Sequence, residues 1–84
     1  LRKKIDEIDE KILYLLKKRM EICKNIGAIK REHEIPVRNR SREREQYKRI
    51  MGKALELGLD PYEVKDVYRK IIAMSIRIQR ANVT

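Results

Sequence analysis

The chain has 84 residues, enough for one small domain whose core is only marginally stable alone. Its 42% charged residues and net charge of +9 fit either a solvated, salt-bridged helical surface of the kind thermophiles carry or attraction to an anionic partner. A single Cys and a single His exclude an intrachain disulfide and argue against a metal centre, and no apolar run is long enough to span a membrane or serve as a signal-peptide core.

From Leu1 to about Glu34 the sequence predicts one long helix. Ile5, Ile8, Ile12, Leu15, Ile22, Ile26 and Ile29, with Leu16 and Cys23 beside them, fall on one face at ~100° per residue. Two cations interrupt that face. Arg19 stands where the spacing from Leu15 to Ile22 calls for an apolar residue, and Lys30 points within roughly 20° of it. Cations on a stripe that should be buried need an anion, from an internal carboxylate or from a ligand. Cys23, on the same stripe, reads as a small core residue.

Pro36 ends this helix by forcing Ile35 out of the helical region, and a basic connector follows, Arg38-Asn39-Arg40. Ser41 is the expected N-cap of a second helix with Tyr47, Ile50, Met51, Ala54 and Leu55 on its buried face, stopping at Gly58. Asp60, Pro61 and Glu63 form a strong start signal with a capping box. The third helix then runs towards Gln79 or beyond, burying Val64, Val67, Tyr68, Ile71, Ile72 and Ile78. No strand pattern or repeat is present. The expected fold is all-α, three helices of roughly 34, 17 and 20 residues in a single domain over 1–84. At ~1.5 Å per residue the first helix is about twice as long as the others. They cannot cover its stripe, so an intertwined homodimer is expected, with the long helices packed together.

Four further polar residues lie on or beside apolar faces, each with an ordinary explanation. Glu43, one turn before Tyr47, is also a first-turn carboxylate favoured by the helix dipole. Ser75 fits a small core hydroxyl bonding back to its helix, Gln79 an exposed edge residue, and Arg2 a solvated terminal cation. A purely structural Arg19–Glu43 salt bridge is the main internal alternative. As a set, cations with one carboxylate, a hydroxyl and an amide suit a compact dianion, bound without an activated nucleophile, metal or cofactor. Chemistry there proceeds by positioning and electrostatics.

Several segments carry a family resemblance: Leu1-Arg2-Lys3-Lys4-Ile5-Asp6-Glu7-Ile8-Asp9-Glu10-Lys11-Ile12-Leu13, Leu15-Leu16-Lys17-Lys18-Arg19-Met20-Glu21, Ile26-Gly27-Ala28-Ile29-Lys30, the connector Pro36 to Glu43, and the tail Ile71 to Gln79 with its Ser75/Gln79 spacing. In this order and at these separations the chain resembles the all-helical AroQ class of chorismate mutases over essentially its whole length. The resemblance implies rearrangement of chorismate to prephenate, in aromatic amino-acid biosynthesis. It implies that Arg19 and Arg2 bind the substrate carboxylates, with Arg2 supplied by the other subunit. Lys30 bonds a carboxylate and the ether oxygen, and Gln79 donates to that oxygen. Glu43 accepts from the ring hydroxyl, Ser75 contacts a carboxylate, and Arg42 supports the pocket. Asn39 stands where the family often has Asp.

Helical rise separates Arg2 from Lys30 by about 42 Å, so one small ligand meets both only if an antiparallel partner helix brings Arg2 across, with the dyad near residues 12–15. A Gln at position 79 donates without being protonated, so activity is expected to persist at neutral pH. The alternatives are an isochorismate pyruvate lyase on the same fold, a non-catalytic dimerisation or regulatory domain, and a basic helical nucleic-acid binder. The last is disfavoured because there is no Trp or Phe and the four Tyr do not interleave with the basic runs. A cytoplasmic protein with no membrane partner is expected. The start at Leu1 rather than Met reads as a trimmed chain or part of a longer polypeptide.

Overall fold

The computed structural model describes residues 1–81, so the last three residues of the expected 1–84 domain lie outside it. It contains three helices, α1 (Arg2–Glu32), α2 (Arg40–Glu56) and α3 (Pro61–Arg80), matching the expected order and all-α class. α3 is the hub, packing against both α1 and α2. The assembly is an open layer measuring 47 × 28 × 14 Å, and its shortest dimension is little more than one helix thick.

Local chemistry explains the helix ends. α3 begins as expected, with Pro61 in its first turn and the Asp60 carboxylate accepting from the backbone N–H of Tyr62 (2.9 Å) and Glu63 (3.3 Å). The reciprocal Glu63 half of the capping box is not among the hydrogen bonds of the described residues. α2 starts one residue before the expected cap: Asn39, not Ser41, is the N-cap, its side-chain oxygen accepting from the Arg42 N–H at 3.1 Å. The Ser41 hydroxyl instead accepts from the Arg44 guanidinium.

α1 and α2 stop by the same device, in which a left-handed residue turns the chain back so that two N–H groups reach carbonyls of the last turn. After α2 that residue is Gly58 (φ 74), with Leu59 N–H bonding to Ala54 O at 2.8 Å. After α1 it is Glu34 (φ 55), with Ile35 N–H bonding to Lys30 O at 2.8 Å. α1 therefore ends at Glu32, ahead of Pro36, because the turn terminates it first.

The core is small: Met20, Cys23, Ile50, Ala54 and Ile72 are its buried apolar residues. Two expectations for the buried faces are corrected, since Val67 and Leu55 are exposed. A larger difference concerns α1. The apolar stripe from Ile5 to Ile29 does not face α3. Ile8 is 55% exposed, Ile12 56%, Ile22 59% and Ile29 54%. α1 meets α3 through the adjoining strip that contains Met20, Cys23 and Gly27. Arg19 and Lys30 lie on the seam between the two strips, both half-buried. Residues 1–15 are all exposed, so roughly 20 Å of α1 projects beyond any cover from its own chain.

Candidate active site

At the seam, α1, the connector, the N-terminal part of α2 and α3 line a cavity of about 380 Å³. Of the residues expected in the site, Arg19, Lys30, Asn39, Arg42, Glu43, Ser75 and Gln79 line it. Arg2 does not: it sits at the far end of α1, about 25 Å from Arg19 by helical rise.

Each side chain is held in a definite way. One Arg19 guanidinium nitrogen donates to the Ser75 hydroxyl and lies 3.9 Å from Cys23 Sγ. Ser75 is 5% exposed, and its hydroxyl donates a hydrogen bond to Ile71 O at 2.9 Å. It therefore bonds back to its helix and also fixes the arginine. Lys30 Nζ donates to Val37 O at 2.8 Å, tying the connector to α1. Gln79 is 9% exposed, not an edge residue open to solvent, and its Oε1 is buried with no hydrogen-bond partner.

The expected internal alternative, an Arg19–Glu43 pair, is not formed. Glu43 is taken by Arg38 through two parallel bonds, Nε to Oε2 and Nη2 to Oε1, both 3.0 Å. Geometry explains the choice: Arg38 leaves the connector directly over the first turn of α2, while Arg19 is engaged on α3. The partners of Arg19 and Lys30 are thus a hydroxyl, a thiol and a carbonyl, all uncharged. Four cations line the cavity, Arg19, Lys30, Arg38 and Arg42, against one carboxylate, Glu43. Arg42 points partly outward, 3.6 Å from Glu45, with 62% of its side chain exposed. The remaining ion pairs are exposed neighbours within one helix, of the kind that contributes little.

Sequence reading missed three residues that build the site. Arg38 lies in a connector without periodicity, though an arginine five residues before a first-turn Glu was a usable signal. Gly27 is where α1 comes up against the α3 backbone at Gln79, and an isolated glycine inside a helical pattern hints at such contact. Arg31 donates to Gln79 O (3.0 Å) and Ala81 O (3.1 Å), capping the carbonyl end of α3. Gln46 also lines the cavity, whose apolar wall is Cys23, Ile26, Val37, Ile72 and Ile76. No group of three or more His, Cys, Asp or Glu among the described residues could hold a metal ion. No described helix is long and apolar enough to cross a membrane.

The described residues thus form a helical layer with a cation-rich, part-apolar cavity. The chain's sequence relationships are specific. Residues 1–80 match the family described as chorismate mutase type II, and the chain belongs to that family. It is 39% identical over 83 residues to a bifunctional chorismate mutase/prephenate dehydratase of Aquifex aeolicus, covering 95% of this chain and 23% of that protein. A chorismate mutase of Methanocaldococcus jannaschii is 42% identical over 60 residues, covering 71% of this chain and 61% of that protein. The bifunctional enzyme of Escherichia coli K12 is 35% identical over 81 residues, 96% of this chain and 21% of that protein. The chain therefore spans about a quarter or less of the bifunctional relatives and under two thirds of the archaeal one. A solved structure of a conserved hypothetical protein from Pyrococcus furiosus is similar at TM-score 0.73 and 38% identity, over 95% of this chain and 91% of that one.

Proposed function

We propose that this chain is a chorismate mutase, rearranging chorismate to prephenate as a homodimer. The observation that carries the reading is the charge imbalance at the seam. Arg19 and Lys30 are half-buried, their partners are neutral, and Glu43, the only carboxylate among the described residues that line the cavity, is committed to Arg38. A ligand with two carboxylates supplies the missing anions.

Arg19, oriented by Ser75, binds one carboxylate; Lys30 reaches a carboxylate and the ether oxygen. As the carbon–oxygen bond breaks, negative charge gathers on that oxygen. Lys30 and the Gln79 amide then bond more strongly than in the ground state, which is differential stabilisation. Gln79 suits this role because its amide lies at the cavity and its NH2 group donates without being protonated. Glu43 accepts from the ring hydroxyl. Asn39 holds the start of α2, and the family's usual Asp would cap equally well. Arg42 borders the pocket entrance. The bound cations hold the enolpyruvyl group over the ring, selecting the reactive conformer.

α1 supplies the reason for a second copy. Its exposed isoleucine stripe is long and runs next to the cavity. The first turn carries Arg2, Lys3 and Lys4, no acidic residue and no side-chain cap, so cations sit at the positive end of the helix dipole. Antiparallel pairing of two stripes covers the apolar surface and carries Arg2 to the partner's pocket, where a substrate carboxylate offsets its charge. We place the enzyme in the cytoplasm.

Incubation with chorismate, followed by loss of its ultraviolet absorbance and appearance of prephenate, tests the activity. Release of pyruvate from isochorismate instead would assign the lyase reaction. A Lys30→Ala variant that remains a folded dimer and retains full turnover would remove the proposed pocket from the chemistry.

A further inference from the structure

We propose that Arg38 is a positioning residue that presents Glu43 to the ring hydroxyl, an inference that rests on the chorismate reading above. A carboxylate beside a pocket for a dianion has two problems: it repels the ligand, and on a helix N-terminus it has several rotamers to choose from. The forked contact with Arg38 addresses both. The guanidinium compensates the charge, and two parallel 3.0 Å bonds fix the plane of the carboxylate. Each carboxylate oxygen keeps a second acceptor site for the ligand. Glu43 is 14% exposed and lines the cavity, so those sites face a hydroxyl arriving there.

Arg38 is itself held on both sides. The carbonyl of Val37 before it accepts from Lys30 Nζ at 2.8 Å, and Asn39 after it caps α2. Lys30, the proposed ether-oxygen donor, is thus linked through the connector to Arg38 and Glu43. The acceptor for the ring hydroxyl and the donor for the ether oxygen are set by one short segment, which fixes their separation before substrate binds.

The test uses Arg38→Met, Arg38→Lys, Glu43→Gln and the Arg38→Met/Glu43→Gln double variant, assayed with chorismate and with an analogue lacking the ring hydroxyl. Arg38→Met should lower kcat/KM for chorismate by about 10- to 100-fold and leave turnover of the analogue within about 3-fold. In the Glu43→Gln background the same change should cost less than about 3-fold, because the two residues act as one unit. Arg38→Lys keeps a cation without the fork and should lose an intermediate amount; it also serves if Arg38→Met does not fold. Equal losses on both substrates would mean that Arg38 binds the dianion directly, and additive losses in the double variant would mean that it only supports the fold. Either overturns the proposal. Wild-type protein inactive on chorismate would instead remove the reading beneath it.

Discussion

Gly27 lies directly against the backbone of Gln79: a Cβ at position 27 would stand 2.5 Å from the Gln79 carbonyl oxygen and 2.6 Å from its Cα. The contact is backbone to backbone, so no flexible side chain can yield. It sets how closely α1 and α3 approach, and therefore where the Gln79 amide enters the cavity. Arg31, one turn on, holds the same carbonyl at 3.0 Å.

Gly27→Ala should accordingly be destabilising although alanine favours helices. Overpacking costs roughly 1–3 kcal/mol, against about 1 kcal/mol of helix propensity gained. A net loss of up to about 2 kcal/mol is expected in urea unfolding, with kcat falling by at least about 10-fold as Gln79 is displaced. Gly52 provides the control. It lies in the exposed interior of α2 with nothing within 4 Å of the Cβ position, so Gly52→Ala should gain up to about 1 kcal/mol and leave kcat unchanged.

Gln79→Glu should convert a rate insensitive to the state of residue 79 into one that follows its protonation. Only the neutral acid donates to the ether oxygen, so the active fraction is complete below the carboxyl pKa. It falls about tenfold for each pH unit above that pKa, which is about 4.3 for an unperturbed Glu. The variant should therefore regain activity as pH is lowered, while the wild type does not gain in parallel. A pH series of kcat/KM for both proteins decides it. Parallel profiles would mean that residue 79 does not donate in the transition state.

Arg19 and Lys30 were legible as site residues because a cation inside an apolar period is a local anomaly. Which neighbour covers each face was not. Hydrophobic periodicity reports that Ile8, Ile12 and Ile22 avoid water, but it cannot tell a partner in the same chain from one in another. The α1–α3 contact runs through Met20, Cys23 and Gly27, where small residues permit closeness and the apolar signal is weak. The early end of α1 was hidden because Glu34 carries no mark of the left-handed conformation that Gly58 announces. Asn39 and Ser41 are both competent caps, and the path of the connector chose between them. Arg38 offered only a spacing cue, its place five residues before Glu43, because its role depends on the direction in which a non-periodic segment leaves α1.

The exposed stripe predicts that stability depends on protein concentration. With residues 1–15 uncovered by their own chain, the projecting part of α1 has little to hold it as an isolated segment of about 14 residues. Ile12→Glu, near the expected dyad, should place two like charges close together in the paired helices and desolvate both. Sedimentation should shift from dimer to monomer, and the urea midpoint of the wild type should rise with protein concentration while that of the variant does not. A wild type that sediments as a monomer at all concentrations would reject the paired-stripe arrangement.

Sharing of Arg2 across the interface has a signature that no single-chain site can imitate. Arg2→Ala and Lys30→Ala should each abolish most turnover as pure homodimers, since each removes one group from both pockets. Refolded together from denaturant, they should form mixed dimers. In a mixed dimer the Arg2→Ala chain contributes an intact Lys30 pocket, and the Lys30→Ala chain contributes an intact Arg2 to it; the other pocket lacks both. Random pairing puts half the dimers in this class with one working site of two, so about a quarter of wild-type activity should return. If Arg2 instead acted on its own chain, every pocket in the mixture would lack one group and activity would stay at the level of the separate variants. Roughly 25 Å of helical rise between Arg2 and Arg19 makes restoration the expected result.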